Sequence, residues 1–519
     1  MRTATLVRLA LAGSRADTVR VVLTAISALL ATLALLAALT VLAIPTPASE
    51  HNSGSATWSQ HYTNALLREP GLRPGLAFAL VLLMIPVLAL AGQCARLGAP
   101  ARDRRLAAIR LAGATPGQTV AVAVAETGLA ALVGTVLGFG LYLVGRDLLH
   151  QPTQDGLLPL PTDVLPAWPA LLAAGLGLPL LAALASAVVL RKVTISPFGV
   201  VRRARRQRAP WPWPGILIAV GMATFFGLST LTRASGEADW RVPSWIILVQ
   251  LFGGAFLTAL GVVLGAGWIT YTTGRLLRRL ARRPAPLLAA SRLMADPWSS
   301  SRNLAALLTC VLFAAGAAGF RSAILTDIAV NEEANRLQAQ AEGRPFEAWP
   351  RDAFYTQTMD LINLAIGIAM LIAAAGLLVA IVESIVTSRR AYASLVATGV
   401  PRTVLGRAIL WQSLAPALPA IFLALVVGVA LPRGVWPGSR NGGYEIQVCT
   451  AAQEICADPT ARLPHLTTVQ IPAVVRQVPV PYDDLATAGA AATVAILATV
   501  AVGLLFLRRS TDLEELRTT

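Results

Sequence analysis

Ten segments of this chain are long and apolar enough to cross a bilayer, and no other feature constrains its fold as strongly. A hydrocarbon core of about 30 Å takes roughly 20 apolar residues per helix. Segments of that kind run approximately over 21–44, 75–94, 117–144, 167–190, 214–231, 245–270, 303–320, 359–386, 404–431 and 485–507, with 214–231 and 303–320 the shortest. Of the 519 residues, 55% are hydrophobic and only 13% charged, about half the charged share of an ordinary soluble domain. The expected fold is an all-α integral membrane bundle with small extracellular loops.

Charge sets the expected orientation. The first apolar run, Val21 to Ile44, exceeds the core of a secretory signal and follows Arg8, Arg15 and Arg20, so it reads as a retained helix that starts in the cytoplasm. With that start, 30 of the 43 Lys and Arg residues fall in cytoplasmic segments and 13 outside, as the positive-inside rule requires. Both termini are then cytoplasmic. The net charge of +16 raises the question of nucleic acid. The basic residues instead form short clusters between apolar runs, Arg191, Lys192 and Arg202–Arg208, then Arg275–Arg283. Such clusters anchor topology against anionic membrane lipid, and no nucleic-acid partner is expected.

The two ends of the chain repeat one pattern at an offset of 286 residues. In the first copy, Arg102, Asp103, Arg104, Arg105, Leu106 and Arg110 lead to Gly113, then an apolar helix carries Glu126. In the second, Ser388, Arg389, Arg390, Tyr392 and Leu395 lead to Gly399, then an apolar helix carries Gln412. Arg104 falls on Arg390, Gly113 on Gly399 and Glu126 on Gln412. Lead-ins Arg8-Leu9 and Arg292-Leu293 precede the first spanning helix of each copy. The expected organisation is a four-helix unit over 1–200, a central helix pair over 201–285, and a second four-helix unit over 286–519. Both units share one membrane orientation, which makes a parallel repeat about an axis along the membrane normal.

Each loop ahead of Gly113 or Gly399 is short, basic and helical in pattern, and the glycine suits a helix C′ position. This arrangement, with Glu or Gln about thirteen residues after the glycine, resembles the FtsX-like permease family, which includes bacterial macrolide-exporting and bacitracin-type permeases. The resemblance implies a bacterial plasma (inner) membrane location. It also implies that Arg102–Gly113 and Ser388–Gly399 are coupling helices that dock into a separate ABC-type ATPase, itself a homodimer. Bacitracin-type permeases carry a large outer domain between helices 7 and 8. Here the corresponding loop, about 321–358, is too short for one.

The chain is not expected to be an enzyme by itself. A P-loop requires a lysine after a glycine-rich turn, and the one lysine, Lys192, lacks glycine at that spacing. ATP and Mg would therefore bind the partner ATPase, with no cofactor in this chain. His51, His61, His150 and His465 are scattered without metal-ligand spacing.

Among intramembrane polar residues, Glu126 lies about ten residues into its helix, where an ionised carboxylate is costly. Its counterpart Gln412 carries no titrating proton, so an interhelical hydrogen bond is the expected role. Asp360 and Glu383 sit near helix ends. Gly134-x-x-x-Gly138 and Gly261-x-x-x-Gly265 allow close helix approach, and Pro416 and Pro419 predict a bend. The outer loop 432–484 holds Cys449 and Cys456, an expected disulfide, and its run Thr467–Val480 has the alternation of short strands.

These features, with the resemblance, lead to three expected functions. The first is the permease subunit of an ABC transporter that exports, or extracts from the outer leaflet, a hydrophobic or amphipathic compound such as a lipid, peptide or antibiotic. The second is a mechanotransmitter that regulates an extracellular cell-wall hydrolase or signalling partner. The third is a proton-coupled secondary transporter using Glu126.

Overall fold

A computed structural model describes residues 15–45, 61–68, 73–94, 107–194, 210–237, 244–346, 353–441, 443–451, 456, 460 and 463–510. Its first helices are α1 (Arg15–Ala43), α2 (Arg73–Cys94), α3 (Pro116–Leu148) and α4 (Trp168–Thr194). Next come α5 (Pro214–Glu237), α6 (Ser244–Leu280) and the short α7 (Pro284–Ala295). The remaining helices are α8 (Pro297–Ala341), α9 (Ala353–Thr387), α10 (Arg389–Ala397), α11 (Arg402–Val435) and α12 (Tyr482–Ser510).

Nine of these helices are long and apolar enough to cross a membrane among the described residues, and the chain is a multi-pass membrane protein. The tenth expected span is α5. It has 24 residues, or about 36 Å at 1.5 Å per residue, but its apolar stretch covers only Pro214–Gly227. Ser229, Thr230, Thr232 and Arg233 dilute the rest.

Helices α1–α4 pack as one set and α8, α9, α11 and α12 as another, and the same neighbours recur in each. The first helix of a set touches the other three, as α1 does α2, α3 and α4 and α8 does α9, α11 and α12. The third also touches the fourth, α3 on α4 and α11 on α12. The sets meet chiefly where α2 lies on α9, the second helix of each. The α5–α6 pair packs on α8 and α11. Leu307, Leu308, Val311, Ala417, Ala424 and Ile496 are buried in the core of the second set, which extends to Val262 and Ala266 of α6.

Glycine permits the tightest helix contacts. A Cβ on Gly134 of α3 would stand 2.1 Å from the Ala25 carbonyl oxygen of α1, and one on Gly138 would stand 2.9 Å from Thr32 Cβ. In the second motif only Gly261 is tight, with Ile218 Cγ1 at 2.7 Å, while nothing approaches Gly265 closer than 3.9 Å. Helix α11 is continuous through Pro416 and Pro419.

One expectation needs correction. The segment 303–320 is the middle of a 45-residue helix, about 68 Å long, and most of the supposed loop 321–358 is its continuation. The apolar signal ends near Phe320, but Asn331, Glu332, Glu333, Arg336, Gln338 and Gln340 extend the helix in polar form. Against it lies a broken antiparallel hairpin. Strand β1 (Gly438–Asn441) pairs with β4 (Val474–Gln477), and β2 (Tyr444–Cys449) pairs with β3 (Leu466–Ile471). Cys449 and Cys456 are joined by a disulfide with Cα atoms 5.9 Å apart.

The hairpin is held to α8 by a row of hydrogen bonds. Ser439 Oγ donates to Asp327 Oδ1 (2.6 Å), Asn441 Nδ2 to Asn331 Oδ1 (3.2 Å) and Tyr444 OH to Gln338 Oε1 (2.8 Å). At the same end of the first set, the buried Arg73 donates to the carbonyls of Ile44 and Pro45 just beyond α1 (both 3.1 Å). Carbonyls at a helix end have no partner within the helix, and Arg73 supplies one.

Candidate partner-docking end

The opposite end of the molecule carries the two short helices. Residues 107–111 are helical and lead through a turn into α3, as α10 leads into α11. Gly113 has φ +93° and Gly399 has φ +89°, a backbone region that strongly favours glycine. The hydrogen bonds match as well. Gly113 N–H donates to Arg110 O (2.9 Å) and Ala114 N–H to Ile109 O (3.2 Å), while Gly399 N–H donates to Val396 O (2.9 Å) and Val400 N–H to Leu395 O (3.0 Å). Each is a Schellman closure.

The next helix starts at once in both copies. Thr115 caps α3 in a capping box with Gln118, with Pro116 at the first helical position, and Pro401 precedes α11. Arg110 Nε donates to Thr119 Oγ1 (3.4 Å), tying the first short helix to the first turn of α3. Each short helix is thus joined to a membrane helix by a single tight turn.

Of the residues expected at this end, Arg102, Asp103, Arg104, Arg105 and Leu106 lie outside the described residues. Ser388 is the N-cap of α10, and Arg389 and Arg390 open that helix. Tyr392 and Leu395 lie on the inner face of the short helix α10. Tyr392 is 2% exposed and Leu395 packs against the core of the second set. The Tyr392 hydroxyl accepts a hydrogen bond from Arg292 of α7, whose guanidinium carbon also lies 4.5 Å from the tyrosine ring centroid. The free face of α10 is Ala391, Ser394, Ala397 and Thr398. In the first copy the corresponding face presents Leu111, 90% exposed. Its position two residues before Gly113 is a signal available in sequence, but apolar character there reads equally as packing.

The two intramembrane polar sites differ. Glu126 on α3 accepts from, and forms an ion pair with, Arg20 on α1, and both are buried. Hydropathy reads Arg20 as an orientation anchor, and only the packing of α1 on α3 reveals it as a counter-ion. Among the described residues, no charged side chain lines the cavity beside Gln412. Gln412 lines this small cavity of about 50 Å³ with Asn303, Ser384, Ser413 and Tyr392, directly under α10, with room for about one water. A charged pair in one set thus corresponds to a neutral polar pocket in the other. Among the described residues, no three His, Cys, Asp or Glu side chains are placed to hold a metal ion.

Residues 76–198 match the model of the FtsX-like permease C-terminal family. The match runs from α2 to the segment after α4 and includes the first short helix. No curated protein and no solved structure matches the chain. Over residues 76–198 the chain is therefore similar to the FtsX-like permeases.

Proposed function

We propose that this chain is the membrane subunit of an ABC-type transporter, driven by a separate homodimeric ATPase that binds ATP and Mg and docks on the two short helices. The observation that carries this reading is the duplicated junction: two short helices at one end, each closed by the same Schellman geometry and each continuing into a membrane helix. A symmetric ATPase dimer offers two equivalent sockets, and a chain with two equivalent plugs fits it as a single subunit. Closing the dimer draws the plugs together, and α3 and α11 carry that movement through the membrane. The positive-inside distribution of Lys and Arg supports a cytoplasmic position for this end. The cargo is a hydrophobic or amphipathic compound, exported or taken from the outer leaflet.

Purification of the full chain with its cognate ABC ATPase tests the reading. The complex is expected to hydrolyse ATP, and charge reversal at Arg104 and Arg390, or Leu111→Glu, is expected to reduce the stimulated rate several-fold. Failure to recover an ATPase, together with transport that follows the proton gradient, would sink it. The pairing of Glu126 with Arg20 weighs against the proton-coupled alternative, because the carboxylate is already engaged by a buried counter-ion.

Mechanotransmission is favoured by one specific observation. Helix α8 runs without a break from the short-helix end to the hairpin, and three side-chain hydrogen bonds fasten the hairpin to it. Movement at one end would then displace a cell-surface element at the other, with no solute crossing.

A further inference from the structure

The continuation of α8 and strand β4 enclose a cleft of about 550 Å³ that the docking model leaves unused. Glu332, Glu333 and Arg336 come from one face of α8, Arg344 and Phe346 from the segment after it, and Arg476 from β4. The volume is that of a small-ligand pocket. Glu332 and Arg336 are spaced to pair along the helix, yet among the described residues neither they, Glu333 nor Arg476 makes a side-chain hydrogen bond or ion pair. Arg344 is held by Glu342 (2.5 Å). Charges of both signs therefore converge on one space from separate elements without cancelling each other, and Phe346 adds an apolar wall.

Position narrows the ligand. Phe320 and Trp436 stack edge to face at 5.5 Å where the apolar run of α8 gives way to Arg321, and tryptophan is enriched at the membrane–water interface. Glu332 lies 12 residues farther along α8, about 18 Å at helical rise. Headgroup layers add only about 5–8 Å beyond the hydrocarbon, so lipid headgroups in place do not reach the cleft. Its ligand must come from water.

We propose that this cleft binds a short, water-soluble peptide segment carrying both a carboxylate and a basic group. Arginine forks suit the planar carboxylate, and Glu332 and Glu333 take the basic group. The cleft lies at the outer surface in the orientation used above, and binding there needs neither ATP nor a docked ATPase.

The test uses the full chain in phosphatidylcholine nanodiscs without ATPase, titrated calorimetrically with the tetrapeptide Asp-Phe-Gly-Lys bearing free termini. Saturable binding is expected, weakened about ten-fold or more by Arg336→Glu or Arg476→Glu. Arg440→Glu is expected to leave it unchanged, because Arg440 points to the opposite face of its ribbon from Ser439 and Arg476. Circular dichroism and an intact Cys449–Cys456 bridge establish folding of each variant. Absence of saturation up to about 10 mM, far weaker than a functional site, overturns the proposal. So does equal weakening by Arg440→Glu, which would mean diffuse attraction, or equal affinity for phosphorylethanolamine, which would mean a headgroup site. Since no ATPase is present, failure here leaves the docking reading standing, and failure of docking leaves this one.

Discussion

Arg292 of α7 is seated on Tyr392 of α10, donating to the hydroxyl and lying over the ring. The two residues are 100 positions apart, and their contact makes the second short helix part of a larger unit with α7. Helix α7 in turn packs on α6 and α11. Helix α10 is therefore joined to the bundle at two places, through the Gly399 junction to α11 and through Tyr392 to α7.

Tyr392→Phe removes the hydroxyl but keeps the ring, whereas Tyr392→Ala removes both. If α7 carries part of the coupling, stimulated ATP turnover is expected to stay coupled to transport in the Phe variant and to lose that coupling in the Ala variant. The structural cost of the Ala variant is about 3–5 kcal/mol, as for other buried aromatics, so thermal unfolding in detergent must be measured beside it. An Ala variant that is folded and fully coupled would remove α7 from the mechanism.

The Arg20–Glu126 pair invites a double-mutant cycle. Removing one partner leaves a buried charge uncompensated, at a cost of about 3–5 kcal/mol. Arg20→Leu and Glu126→Leu are each expected to lower stability by an amount in that range, and the double variant by much less than their sum. Stability is read from denaturation in mixed micelles. Additive losses would show that the two charges act separately.

Which of these relationships were legible beforehand follows from their physical origin. Gly113 and Gly399 could be read because few residues other than glycine tolerate the left-handed turn that closes a helix, and the long apolar runs could be read because lipid permits little else. Arg20 could not, since an arginine ahead of a membrane helix has the same sequence appearance whether it meets lipid phosphate or a carboxylate 106 residues away. The inward turn of Tyr392 depends on where α7 packs, and a nine-residue helix does not encode that. The far half of α8 escaped because hydropathy measures solvent preference, and a helix keeps its hydrogen bonds after its side chains turn polar. Arg73 looked like another flanking charge, and its role as partner of the Ile44 and Pro45 carbonyls exists only once α1 and α2 have packed.

Glycine spacing gives a prediction with an internal control. At Gly134 a methyl group meets backbone atoms of α1 at 2.1–2.9 Å, and backbone cannot rotate away. Gly134→Ala is expected to destabilise by about 1–3 kcal/mol, as overpacking does. At Gly265 the nearest atom to a new methyl is 3.9 Å away, so Gly265→Ala should be neutral or stabilising by up to about 1 kcal/mol through helix propensity. Equal effects at the two sites in a detergent unfolding assay would contradict the helix spacing described.

Tyr62 supplies a test in alkali. It is 1% exposed, its strand-like contact with Leu158 joins the segments after α1 and α3, and its hydroxyl donates to Asp163 Oδ1 at 2.7 Å. Burial first, then the hydrogen bond to Asp163, raises its pKa above the ordinary tyrosine value of 10.0. The folded chain therefore holds this proton more tightly than the unfolded chain does. Its contribution to stability is fully present below pH 10 and declines as pH rises beyond that value toward the folded pKa. Tyr62→Phe should cost about 1–2 kcal/mol at neutral pH, because Asp163 loses its donor. The same variant should also lack the alkaline decline attributable to Tyr62. Unfolding midpoints of wild type and variant between neutral pH and pH 11 check both points, and parallel curves would show that this phenol is not the titrating group.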